Sequence, residues 1–141
     1  MKRSAAMSEA GTEPASRLRR ATTTRNVVLA ILGAAVLVLK SAYHGPFEDA
    51  LNAYAGNVAV SFALYFAALN ATSACRRPRL IAAALTLLAV ELFEVTDGFG
   101  VMVNVYDPAD LIANAAGVGL AVIVDLVTSA ALRRHDERVA S

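Results

Sequence analysis

The 141-residue chain has one cysteine, no tryptophan, two histidines and four prolines, and only 18% of its residues are charged. Each shortage excludes something. A lone Cys75 rules out an internal disulfide and a cysteine-based zinc site. Four prolines and eight glycines exclude a collagen-like or low-complexity chain. A formal charge of +1 supplies no general basic field for nucleic acid. A soluble domain carries about a quarter charged residues and somewhat under half apolar ones. This chain is 57% hydrophobic with a mean hydropathy of +0.51, which points to a small membrane protein.

Residues 1–25 are rich in Ser, Thr, Ala and Arg, without an apolar run, and predict a disordered basic N-terminal tail. A signal peptide fits less well. The first apolar run starts only at Val27, and no small-x-small cleavage site follows before the next polar loop. Four apolar stretches follow, at about 27–43, 53–74, 80–95 and 109–132, and residues 133–141 form a charged tail. The uninterrupted part of the first stretch, Val27 to Leu39, spans only about 20 Å as a helix. It reaches bilayer length if Asn26 and Lys40 snorkel towards the two interfaces.

Charge tests the division independently. Lys2, Arg3, Arg17, Arg19, Arg20 and Arg25 precede the first stretch. Arg76, Arg77 and Arg79 lie between the second and third, and Arg133, Arg134 and Arg138 follow the fourth. A four-span arrangement therefore puts every basic residue except Lys40 on one side, the cytoplasmic one. The expected fold is all-α, a four-helix transmembrane bundle of residues 26–132 with both termini in the cytoplasm. Acidic residues gather on the other side: Glu48, Asp49, Glu91, Glu94, Asp97, Asp107 and Asp110. Insertion does not require that bias.

Asp107-Pro108-Ala109-Asp110 reads as a helix start, with Asp107 as helix cap and Pro108 in the first helical position. Asp110, Asn114, Gly117, Ala121, Asp125 and Thr128 then fall within roughly an 80° arc of that helix. Ala113, Gly117 and Ala121 form a small-residue series suited to close helix contact, a packing seam. Glu91 and Glu94 share a face of the third helix, and Tyr54, Asn57, Ser61, Tyr65 and Thr72 share one on the second. Lipid penalises such stripes, so they are expected to face one another. The expected result is an outward-opening polar pocket of Glu91, Glu94, Asp110, Asn114, Asn57 and Tyr54, able to hold a proton, a cation or a headgroup. An internal hydrogen-bonded network without a ligand explains the same residues.

Three further positions have plainer readings. His44 and Glu48, four apart, lack a second His for a metal site and read as an exposed loop pair. Cys75 beside Arg76 and Arg77 reads as a reduced thiol. Asp125, eight residues before Arg133, is expected to pair with a basic group from another helix, with a proton relay as the alternative. No nucleophile–base arrangement, P-loop or dinucleotide fingerprint is present, so no cofactor is expected and an enzyme is the less favoured class.

The run Glu91-Leu92-Phe93-Glu94, followed by Asp107-Pro108-Ala109-Asp110 and then Asn114 and Gly117, resembles the VanZ-like family of small bacterial membrane proteins. Those proteins show a Glu late in one helix, an acid or amide three residues on, and a D-x-x-D-x-x-x-N-x-x-G pattern opening the last helix. Tyr54-Ala55-Gly56-Asn57 also looks like the start of an earlier helix in that family, and the resemblance covers about Tyr54 to Leu120. Two positions depart from it: the family often has Gln in place of Glu94 and Arg in place of Asn104. The family's named member is associated with lowered susceptibility to teicoplanin. The resemblance thus implies an envelope-associated protein of the bacterial inner membrane, with lipid bilayer and an envelope headgroup or cation as partners and no assigned reaction. Two alternatives stay open on the residues alone. One is a proton- or cation-coupled transporter working as a dimer. The other is a ligand-free structural or assembly partner whose interface is the Ala/Gly seam.

Overall fold

A computed structural model describes residues 12–96 and 107–140. The described residues form four α-helices and no strand: α1 Thr12–Leu39, α2 Glu48–Ala71, α3 Pro78–Val95 and α4 Pro108–Ala140. A short 3-10 turn, Lys40–Ala42, extends α1. Three of the helices are long and apolar enough to cross a membrane, over Ser16–Ala42, Leu51–Ala71 and Pro108–Arg138. The described residues are all-α, and three span-length apolar helices point to a membrane protein.

Two boundaries differ from expectation. Residues 12–25 are not a disordered tail, because α1 runs unbroken from Thr12 into the apolar stretch. Ala and Arg are strong helix formers and Pro14 sits in the first turn, where proline is tolerated. Continuity with the following span removes the cost of nucleating a helix. At the other end, α4 continues through Arg133 and Arg134 to Ala140, so the described part of the charged tail is also helical. Residues 1–11 lie outside the described residues.

Helix α2 is the centre of the bundle and packs on α1, α3 and α4, while α3 and α4 also pack on each other. Close approach comes from small residues. A Cβ on Gly33 of α1 would stand 3.0 Å from the Ala63 Cβ on α2. One on Gly117 of α4 would lie 2.5 Å from the Val58 carbonyl oxygen. Ala113 and Ala121 are buried beside Gly117, so all three residues of the small series face inward. Tyr65, Phe66, Leu69, Ala82, Val118 and Ala121 form the apolar core. The Phe66 ring meets those of Phe62 and Tyr65 edge-on, at centroid distances of 5.0 and 5.2 Å.

The surface inverts the pattern of a water-soluble protein. Val38, Leu88, Ile112 and Val127 are exposed, whereas Asn26, Ser61, Thr86, Glu94, Asn114 and Asp125 are buried. Apolar side chains outside and polar groups inside suit a hydrocarbon surround, which penalises polar groups on the lipid face. One backbone position departs from ordinary geometry. Phe47, just before α2, has φ 64° and is exposed in the α1–α2 turn.

Candidate functional site

Polar side chains collect in two layers, one towards each end of the bundle. The outer layer holds the residues expected to form an acidic pocket. Helix α3 buries Ala82, Thr86, Val90 and Glu94, each four residues from the next, so Glu94 lies on the inward face. Its exposure is 5%. Glu91, one turn back, is half-buried, and its Oε2 is buried without a hydrogen-bond partner among the described residues. The same holds for the Thr86 hydroxyl. On α4, Asn114 is 3% exposed and its Oδ1 accepts a 3.0 Å hydrogen bond from the Ser61 hydroxyl of α2.

Asp110 and Asn57 are half-buried. Asp107 opens α4: its Oδ1 accepts from the Ala109 N–H at 2.9 Å, and its carbonyl accepts from the Asp110 N–H at 2.9 Å. That is the contact of an N-cap aspartate with the second helical position.

Tyr54 stands apart from these groups. It is 37% exposed and lines an apolar groove of about 640 Å³ with Leu32, Val36, Phe47, Leu51 and Leu120. It shares a helical face with Asn57 and Ser61, but it lies a turn further out, where the bundle opens. Asp97 and Asn104 fall outside the described residues.

The inner layer is the better-defined one, and Asp125 is its centre. Asp125 is 1% exposed. Arg25 of α1 donates to its Oδ1 at 2.5 Å, and Arg79 of α3 donates to its Oδ2 at 2.5 Å. The Ser129 hydroxyl adds a bond to Oδ1 at 3.0 Å, and the Tyr65 hydroxyl of α2 lies 3.4 Å from Oδ2. Asn26 accepts from Arg25 at 2.6 Å and donates to Asn70 of α2 at 2.9 Å. All four helices therefore meet at one carboxylate. A buried charge held by two guanidiniums and two hydroxyls has its acceptor capacity used.

This layer overturns one detail. Asn26 does not snorkel to an interface; it is 2% exposed and bonded inward, because Asn70 and Arg25 offer it partners at the same depth. Lys40 reaches the Asn52 carbonyl at 2.9 Å.

The pairing expected for Asp125 is present. In the sequence Arg25 and Arg79 stand only as topology charges, and nothing there singles out Asn70 or Ser129. The usable signal was depth: both arginines stand where an apolar run meets a basic segment, level with Asp125.

The remaining positions take no part in either layer. His44 Nδ1 and Glu48 Oε1 are 2.9 Å apart on an exposed turn. Cys75 is an exposed free thiol. Among the described residues no group of three or more His, Cys, Asp or Glu could hold a metal ion. No protein-family model, curated protein or solved structure matches this chain.

Proposed function

We propose that the chain is a four-span, VanZ-like protein of a bacterial cytoplasmic membrane, with both termini inside. Its outer polar residues, the acids Glu91, Glu94 and Asp110 with the amide of Asn114, hold an envelope lipid headgroup or a cation that bridges to one. The observation that carries the reading is burial of an acid in an apolar bundle: Glu94 on α3 is 5% exposed, in the same layer as the buried amide of Asn114 on α4. An ionisable group in a span costs on the order of 2.5–3.5 kcal/mol to insert, and such groups mark ligand and ion sites.

Treating α3 as a fourth span draws support from where its charges go. Arg79 is tied to Asp125 and Glu94 is turned inward, which leaves Leu80, Leu85, Leu88 and Leu92 as its exposed surface. An even number of spans with the basic loops inside returns both termini to the cytoplasm. The transport alternative needs a path between two copies, since Tyr65, Phe66, Val118 and Ala121 fill the middle of the single bundle between the two polar layers.

The test is growth of a susceptible Gram-positive host carrying the wild-type chain, Asp110→Asn or Glu91→Gln at equal membrane levels, challenged with teicoplanin and with vancomycin. Protection by the wild type that is lost in both variants is the expected result. Equal protection by all three, or none by the wild type, refutes the envelope role.

A further inference from the structure

The inner layer opens into a second cavity whose chemistry differs from that of the outer acids. Its volume is about 750 Å³, and it lies between the N-terminal part of α1, the α2–α3 turn and the C-terminal part of α4. Five arginines line it, Arg19, Arg25, Arg77, Arg79 and Arg133, against one aspartate, Asp125. The formal excess is four positive charges.

A count of hydrogen-bonding capacity sharpens this. A guanidinium carries five N–H groups. Arg25 donates to Asn26 from Nε and Nη2, to Asp125 from Nη2 and to Ser129 from Nη1. Arg79 uses only Nε, to Asp125, and Nη2, to Ser129 at 3.0 Å. Its remaining N–H groups have no acceptor among the described residues. The side chains of Arg19, Arg77 and Arg133 make no hydrogen bond or ion pair among the described residues. Both oxygens of Asp125 are already occupied by donors. The cavity is therefore rich in free donors and has spent its only carboxylate. On its inner wall Asp125 and Ser129 bond the guanidiniums of Arg25 and Arg79.

We propose that this cavity binds a phosphate group. A phosphate offers several acceptor oxygens and a negative charge, the complement of a donor-rich arginine pocket. The carrier the surroundings favour is an anionic phospholipid. Leu18, Leu69 and Leu80 also line the cavity, and Leu80 is 60% exposed on the apolar surface of α3, where an acyl chain would run. Basic pockets between membrane helices on the cytoplasmic side are suited to such headgroups. The inference concerns the opposite end of the bundle from the outer acids and does not depend on their role.

The experiment uses the full chain purified in a nonionic detergent. Thermal stability and retained adducts by native mass spectrometry are followed during titration with phosphatidylglycerol, with diacylglycerol and with inorganic phosphate. The expected result is a rise in Tm of several degrees with phosphatidylglycerol and none with diacylglycerol, which has the same tails and no phosphate. A rise with inorganic phosphate as well identifies a soluble phosphate compound as a second carrier for the same site.

Arg77→Gln/Arg133→Gln is expected to bind about ten-fold more weakly or worse, with its lipid-free Tm unchanged. Arg76→Gln/Arg134→Gln removes the same charge outside the cavity lining and is expected to bind as the wild type does. Arg19→Gln gives a third, independent variant at the cavity rim. No rise with either phosphate source overturns the proposal, as does equal weakening by the two double variants.

Discussion

At the residue scale, Asp125 is the most consequential side chain in the molecule. It is the one carboxylate that Arg25, Arg79, Ser129 and Tyr65 share, and they come from all four helices. Removing one member of a buried ion pair leaves the other charge without compensation, which costs about 3–5 kcal/mol. Asp125→Ala strands two guanidiniums and is expected to lower stability by that amount, seen as a fall in Tm in mild detergent. Arg79→Gln is expected to cost less, because Arg25 still neutralises Asp125 and the Arg79 side chain is 39% exposed. A variant pair of equal effect would show that the network is not centred on the carboxylate. The existence of a partner for Asp125 was readable in the sequence, since a lone acid at that depth needs one. Which arginines serve was not: Arg25 and Arg79 are sequence neighbours of other basic residues, and only the helix register selects them.

At the scale of elements, the helices were legible because each apolar run is long and interrupted by polar clusters at its ends. What was not legible is how far α1 and α4 continue. Residues 12–25 and 133–140 lack apolar periodicity, and periodicity is the main signal for a packed helix. Their helicity comes instead from good helix formers joined to an established span. The faces of the helices were readable too, and two glycines two residues apart give a direct check. Gly117 lies against α2, where a Cβ would come within 2.5 Å of the Val58 carbonyl oxygen, while a Cβ on Gly119 meets nothing within 4 Å. Gly117→Ala must push α4 away from α2 and is expected to destabilise by about 1–3 kcal/mol. Gly119→Ala is expected to be neutral or stabilising by up to about 1 kcal/mol, from helix propensity alone. Thermal unfolding of the two variants side by side decides it, and similar losses at both would mean that the α2–α4 contact is not where the small residues put it. Tyr54 shows the limit of face-reading. Helical angle placed it with Asn57, but angle carries no information on where along its axis the bundle opens, and Tyr54 lies beside the apolar groove.

At the scale of the whole molecule the open question is how many times the chain crosses, and it turns on α3. Helices α1, α2 and α4 qualify as spans by length and composition. Helix α3 has 18 residues and differs from the other three in the number of charges along one span length, Arg79, Glu91 and Glu94. A charge count ignores direction. Arg79 is neutralised inside the bundle and Glu94 is buried, so the face that lipid would meet is leucine-rich. If α3 crosses, the two termini lie on the same side, the α2–α3 turn lies with them, and the arginine cavity faces the cytoplasm. If it does not, the ends of the chain lie on opposite sides.

Cys75, the chain's one cysteine and exposed in that turn, reports on which side the α2–α3 turn and the N-terminus lie, and fusions at the two ends then decide whether α3 crosses. A membrane-impermeant maleimide is expected to leave Cys75 unlabelled in intact cells and to label it after lysis. Fluorescent-protein fusions at the two ends should both be bright, and alkaline phosphatase fusions at both should be inactive. Opposite behaviour of the two ends would remove α3 from the membrane. It would also leave the burial of Glu94, and the pairing of Arg79 with Asp125, without the lipid that makes them necessary.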